Sequence, residues 1–156
     1  MSIYGTDLVR GLPEGEASRV LALADPISVP SGGVLFQLGE DAENVYVVVS
    51  GRVDLTLPMR IRDREEDVLL EEKQPGDTLG WSGLIPPHRF TLKAKAAMQT
   101  ELLAFPRTLL LAHFEANPTV GHAVMRNVAS VVGQRLQVFQ ALWLREMQRM
   151  VELRCA

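Results

Sequence analysis

The sequence predicts an α+β fold in which an antiparallel β-roll, a jelly-roll-like double-stranded β-helix, is flanked by N-terminal helices and a long C-terminal helix. Three observations predict it. Apolar residues recur at helical spacing before residue 25, short β-branched segments separated by turn residues fill 27–105, and a long stretch from about 119 to 153 contains no proline. Several short strands with closely spaced turns are typical of a sandwich or roll. The chain of 156 residues has the length of one domain, so we expect a single unit over 1–156.

Composition narrows the class of protein. The net charge is −3 and no basic run occurs, which disfavours a domain that grips nucleic acid through its phosphates. The single cysteine, Cys155, cannot form an internal disulfide or a thiolate metal site. The N-terminus has no signal-peptide pattern, and no apolar run is long enough to span a bilayer. The sequence therefore predicts a cytoplasmic protein without a membrane segment.

The N-terminal region and the central region differ in hydrophobic period. Residues 16–24 (EASRVLALA) carry apolar side chains at helical spacing, and Pro26 ends that helix. Residues 52–57 (RVDLTL) instead alternate, with Val53, Leu55 and Leu57 on one face, as in an antiparallel sheet with one wet face. The charged run 60–67 (RIRDREED) is interpreted as a solvated hairpin loop. The other predicted strands are 34–37, 44–50, 68–71, 90–96 and 101–105.

The C-terminal third is predicted to be helical, with a short helix over 108–116 that ends at Asn117-Pro118 and a long helix over about 119–153. One apolar stripe on the long helix has the spacing of a coiled-coil seam: Val128, Val132, Leu136, Phe139, Trp143 and Met150. A helix of some thirty residues is about 45 Å long, longer than the roll beside it. We therefore expect a homodimer with Val132, Leu136, Phe139 and Trp143 at its interface. The alternative is that the stripe packs on the protein's own roll.

A bent loop within 75–96 (PGDTLGWSGLIPPHRFTLKAKA) is the candidate ligand site. Gly80 and Gly83 allow tight turns and close approach of a ligand, and Ser82 is predicted to cap a one-turn helix over 83–85 whose free N–H groups would attract an anion. Arg89 could then hold a phosphodiester or another small anion bidentately. Two plainer interpretations stay open: Arg89 pairs with a surface carboxylate such as Asp77, and Trp81 is a core residue.

The order of these parts resembles a known family. The segments 44–53 (NVYVVVSGRV) and 75–80 (PGDTLG), the loop ending in Arg89 and the two closing helices are similar to the cyclic-nucleotide-binding domain of catabolite-activator-like (Crp/Fnr) regulators. The chain resembles a divergent stand-alone branch without the helix-turn-helix domain. In that family the loop is the phosphate-binding cassette, and Arg89 matches its phosphate-gripping arginine. The resemblance implies cAMP or another cyclic nucleotide as a possible ligand.

Two positions of the loop depart from the family pattern. Trp81 stands where the family has a glutamate that accepts a hydrogen bond from the ribose 2′-hydroxyl, and an indole cannot accept one. Phe90 stands where a small or hydroxyl side chain is usual. A lost buried hydrogen-bond partner costs ~1–3 kcal/mol. The predicted ligand-binding residues are Gly80, Trp81, Ser82, Gly83, Arg89 and Phe90, with an empty or self-filled pocket as the alternative.

The resulting hypothesis is a non-catalytic regulatory sensor that binds a cyclic nucleotide or related small anion and signals through its C-terminal helix to a protein partner. The alternative is a ligand-free interaction or scaffold protein that retains the fold. A cupin-type metal site needs a histidine pair on one strand, and His88, His113 and His122 are isolated. We therefore expect no metal and no enzymatic activity. The chain stops shortly after the long helix, so direct DNA binding is not expected.

Overall fold

The structure, a computed structural model, describes residues 5–156. It contains three α-helices, α1 (Glu14–Leu21), α2 (Arg107–Ala116) and α3 (Pro118–Cys155), and a 3-10 helix over Trp81–Gly83. The eight strands are β1 (Asp25–Val29), β2 (Val34–Phe36), β3 (Asn44–Ser50), β4 (Val53–Ile61), β5 (Arg64–Lys73), β6 (Thr78–Leu79), β7 (Lys93–Ala96) and β8 (Thr100–Pro106). They form two four-stranded antiparallel sheets in the orders β1-β8-β3-β6 and β2-β7-β4-β5. The predicted fold class is confirmed.

Strand β3 contributes side chains to two hydrophobic cores, one between the two sheets and one between β3 and the helices. Successive side chains of a strand point to opposite faces. Val45 and Val47 pack against the helices, in a cluster that includes Phe105 of β8. Tyr46 and Val48 instead point into the roll, where they join aliphatic and aromatic side chains of both sheets. Because β3 is covered on both faces, it is a near-continuous apolar run rather than an alternating one.

Strand β1 begins at Asp25, two residues before the start of the predicted strand region at residue 27. Pro26, which ends the predicted helix, is the second residue of β1, paired with Leu103. Proline cannot donate to a strand ladder, and it is tolerated here because β1 is the edge strand of its sheet. The proline therefore both stops the helical pattern and lies within a strand.

The prediction of a loop over 60–67 is wrong. Strands β4 and β5 continue through it and pair as far as Ile61 and Arg64, so that only Arg62 and Asp63 form the turn. Both turn residues have positive φ, 48° and 66°. A two-residue turn of that hand matches the twist of paired strands, which explains why it can close the hairpin. β7 pairs with β4 only over residues 53–56, so the outer half of the hairpin projects beyond the roll with both faces wet.

Helix α3 follows α2 after a single residue, Asn117. Pro118 occupies the first turn of α3, where its missing N–H is not needed. A Cβ added to Gly121 would lie 2.8 Å from Cβ of Phe114, so the two helices touch through this glycine. With 38 residues, α3 is about 57 Å long.

Only the first turns of α3 reach the core. Its buried residues end at Val128, and Val132 is partly buried against the same cluster. The stripe side chains beyond it are largely exposed: Leu136 (56%), Phe139 (37%), Trp143 (62%) and Met150 (47%). The alternative that the whole stripe packs on the protein's own roll is therefore wrong from Leu136 onward.

Candidate functional site

The bent loop begins at Gly80, whose backbone has a left-handed conformation that glycine adopts more readily than other residues. Gly80 has a φ of +75°, and an added Cβ would lie 3.2 Å from the rings of Phe90 and Tyr46. Three residues on, an added Cβ at Gly83 would lie 2.9 Å from Cγ2 of Val45. The two glycines therefore let the loop turn sharply and lie directly on β3.

The predicted helix start is wrong. The 3-10 helix spans Trp81–Gly83 with Gly80 at its N-cap, so Ser82 lies inside the helix and not at its cap. The N–H groups of residues 83, 84 and 85 donate to the carbonyls of Gly80, Trp81 and Ser82 at 3.0, 2.9 and 3.3 Å. The left-handed Gly80 starts the turn before Ser82 can cap it. The three amides expected to hold an anion are consequently occupied within the loop.

Arg89 lies at the rim of the roll with an exposed side chain. Its backbone bridges to Asp41, and its Nη1 donates to the carbonyl oxygen of Gly39 at 3.1 Å. The alternative partner, Asp77, instead accepts the backbone N–H of Gln74 at 2.8 Å. The Arg89 guanidinium is thus held by a neutral carbonyl.

Phe90 closes the pocket from inside. It is 5% exposed and stacks on Phe36 with ring centroids 3.6 Å apart and planes 6° apart. This stack fills the interior of the roll next to Gly80. The role of Phe90 toward a ligand stays a prediction.

A residue that the sequence analysis missed forms the opposite wall. The Arg135 guanidinium of α3 lies 5.8 Å from the centre of the Trp81 ring, in a cation–π arrangement. Its Nε and Nη2 lie 2.9 and 2.7 Å from Oε2 of Glu71 on β5. Arg135 therefore links the loop, the long helix and the second sheet.

Glu71 also accepts from a second cation. Nζ of Lys73, whose side chain is 6% exposed, lies 2.6 Å from its Oε1. Burial alone would raise the pKa of Glu71, but the hydrogen bond from Lys73 and the charge of Arg135 outweigh it, so the pKa of this carboxyl lies below its ordinary value. Glu71 is accordingly held as a carboxylate between two cations.

The cavity that remains between these groups has a volume of about 10 Å³. A single water needs roughly that much space, so no larger ligand fits this closed state. The lining residues are Phe36, Leu55, Gly80, Trp81, Ser82, Phe90, Thr91, Leu92 and Arg135. Of the six predicted ligand-binding residues, this cavity brings together four and leaves Gly83 and Arg89 outside.

Clustered metal ligands and long apolar helices are both absent from residues 5–156. No group of three or more His, Cys, Asp or Glu side chains in this range is placed to hold a metal ion. None of the helices in the same range is long and apolar enough to cross a membrane.

Comparison with known proteins identifies the fold and its family. Residues 26–117 match the family model for the cyclic nucleotide-binding domain, and the chain belongs to this family. It is 29% identical to the cyclic AMP receptor protein of Thermus thermophilus over 133 residues. The aligned segment covers 85% of this chain and 58% of that protein. The crystal structure of Thermus thermophilus catabolite activator protein superposes with a TM-score of 0.75 and 27% identity, over 92% of this chain and 63% of that one.

A relative with an enzymatic name matches over a small region only. Lysophospholipase NTE1 of Pyricularia oryzae is 31% identical over 107 residues, which is 67% of this chain but 7% of that protein. This chain thus spans little more than half of one curated relative and a small fraction of another. The shared part is a regulatory domain of the Crp/Fnr-like type, as the sequence resemblance indicated.

Proposed function

We propose that the chain is a non-catalytic regulatory sensor module that binds a cyclic nucleotide or a related small anion between the bent loop and α3. One observation carries the proposal: the cavity is lined by Gly80, Trp81 and Ser82 on the loop and by Arg135 on the long helix. A ligand that enters must contact both elements. Binding of the ligand therefore changes the contacts between α3 and the bent loop. A ligand that binds two arrangements of α3 with different affinity shifts the population between them, as a signal requires.

The closed pocket sets the condition for binding. Trp81 is only partly buried, whereas Phe90 is stacked within the roll, so the indole and the Arg135 guanidinium are the groups that move to admit a ligand. If the open state is a minor one, the apparent affinity is reduced by the fraction of molecules that are open. We therefore expect weaker binding than a pre-formed pocket would give.

The ligand to test first is cAMP, since a relative of this chain is a cyclic AMP receptor protein. Thermal unfolding is measured with cAMP, cGMP and, as the control without phosphate, adenosine. A ligand at one hundred times its dissociation constant adds ~2.7 kcal/mol, which raises the Tm of a chain of this size by roughly 5–11 °C. A rise with a cyclic nucleotide and none with adenosine supports the sensor. No rise with either cyclic nucleotide supports the ligand-free scaffold instead.

The proposal includes a homodimer formed through α3. Phe139 and Trp143 are large, exposed and on the predicted seam, and large rings dominate the energy of such interfaces. Trp143→Ala is expected to weaken the dimer about tenfold or more, measured by sedimentation equilibrium. Leu109→Ala, a 47% exposed residue of α2, is the matched control and should leave the dimer unchanged. A wild-type protein that is monomeric at all concentrations would refute this part.

A further inference from the structure

The apolar stripe of α3 has a second possible period once Met147 is included. Val132, Leu136 and Phe139 are followed eleven positions later by Trp143, Met147 and Met150. A seven-residue coiled-coil repeat would instead place Glu146 between Trp143 and Met150. The two repeats therefore differ at one position, where one brings a methionine into an interface and the other brings a carboxylate.

The surroundings of residues 146 and 147 distinguish the two repeats. Residues three and four positions apart are neighbours on a helix surface. The four such neighbours of Met147 are all apolar and between 47% and 62% exposed: Trp143, Leu144, Met150 and Val151. Glu146 instead has Arg149 among its neighbours, and Nη1 of Arg149 lies 3.2 Å from its Oε1. The exposed apolar patch on the distal part of α3 is thus centred on Met147, with Glu146 at its edge.

The roll does not cover this patch. Val124 is buried in the core and Arg135 is ion-paired with Glu71, and Leu142 continues the same row of the helix. Trp143 lies about 100° farther around the helix axis than Leu142, so the patch is turned away from the row that contacts the roll. Most of the stability of a helix comes from the packing of its apolar face. The distal part of α3 therefore needs a partner other than the roll.

The charges beside the patch favour a second copy of α3 as that partner. Glu146 and Arg149 lie on one side of the patch, and the uncharged Leu144 and Val151 lie on the other. In two parallel helices related by a twofold axis, the charged side of each helix faces the uncharged side of the other. An antiparallel pair would instead bring the two charged sides together.

We infer that two copies of α3 pair in parallel through the eleven-residue repeat, with Met147 of each helix at the twofold axis and Glu146 outside the interface. The inference rests on the homodimer of the proposed function and specifies its register. An eleven-residue repeat corresponds to about 3.67 residues per turn, close to the roughly 3.6 of a straight helix. The two helices therefore pack almost straight, with a weak right-handed twist, rather than in the left-handed supercoil that a seven-residue repeat imposes.

The experiment is oxidative cross-linking of single cysteines in a Cys155→Ser background, which removes the free, exposed native thiol. Met147→Cys and Glu146→Cys are the matched pair, and Gln148→Cys, on the far side of the helix, is the control. A residue at the axis meets its own copy within reach of a disulfide, whereas a residue on a flank does not. Met147→Cys should cross-link at least about tenfold faster than the other two variants.

Sedimentation equilibrium gives a second, independent measurement. Met147→Gln should weaken the dimer about tenfold or more, because it places an amide in the apolar interface. Glu146→Gln should change the Kd by less than about threefold, because it removes only an exposed ion pair. Under a seven-residue repeat, two carboxylates would face each other in the interface, and Glu146→Gln would tighten the dimer. Circular dichroism melting checks that each variant folds.

Faster cross-linking of Met147→Cys supports the inference. If Glu146→Cys cross-links faster, or if neither variant does so in a protein that still sediments as a dimer, the homodimer stands and the inference fails. If the wild type is monomeric at all concentrations, both fail. Should a Met147 variant not fold, a tighter dimer in Glu146→Gln overturns the inference and an unchanged one supports it.

Discussion

Replacement of Phe90 by alanine tests whether the roll is closed as described. The ring is 5% exposed and stacked on Phe36 at 3.6 Å. A Phe-to-Ala change in a core costs about 3–5 kcal/mol, and a stacked aromatic pair adds about 0.5–1.5 kcal/mol beyond its buried area. We expect Phe90→Ala to fall in the upper part of that range, because the new space joins an existing cavity and the backbone on both sides is fixed by hydrogen bonds.

The assay is urea unfolding at constant protein concentration. The midpoint should fall while the slope stays the same, and the Tm should drop by roughly 6–20 °C. Leu109→Ala on the surface of α2 is the control and should change stability by about 0.5 kcal/mol or less. The enlarged apolar cavity should also bind benzene, which would raise the Tm of Phe90→Ala and leave the wild type unchanged.

A loss of less than about 1 kcal/mol would refute the reasoning, since it would mean that the ring is not packed in the interior. The pocket would then be open without any movement of Trp81. In that case the expectation of weak ligand affinity, which depends on a closed resting state, would also be wrong.

Three further predictions concern charge and backbone. Because the pKa of Glu71 is lowered on folding, its carboxylate stabilises the protein above its unfolded pKa of about 4.5, and this is lost as pH falls through the lower folded value. The stability difference between wild type and Glu71→Gln, measured by urea midpoints between about pH 6 and pH 3, should therefore shrink toward acid. Gly51→Ala should destabilise by more than about 2 kcal/mol in the same assay, because φ is +91° and the new Cβ would lie 2.5 Å from Oγ1 of Thr100. Gly133→Ala, in open space on α3, should instead raise the Tm through a gain of about 0.5–1 kcal/mol, and a loss there would contradict the helix.

The roll and the long helix could be predicted because their signals are local. The alternation of Val53, Leu55 and Leu57 needs only a period of two, and the stripe on α3 needs only helical spacing. The charged segment over 60–67 misled for a physical reason. Where the hairpin projects beyond the roll, both faces of its strands are exposed to solvent. These strands therefore contain mostly charged residues, as a surface loop does.

The site could be predicted only in part. The glycines of the bent loop indicated its turns, but the choice between a start at Gly80 and a cap at Ser82 depends on φ at one residue. Arg135 could not be found, because its partner Glu71 is 64 positions away and the fold alone brings them together. A lone arginine beside an apolar stripe otherwise looks like an ordinary exposed residue.

The single-residue link at Asn117 has a mechanical consequence for any signal that leaves this module. With no flexible connector, and with Gly121 seated against Phe114, the base of α3 is clamped to the short helix before it. A swing at that end would drag α2 and the strand behind it out of register. Motion is therefore confined to the part of α3 beyond Arg135, the last residue that is ion-paired with the roll, where the side chains are largely exposed.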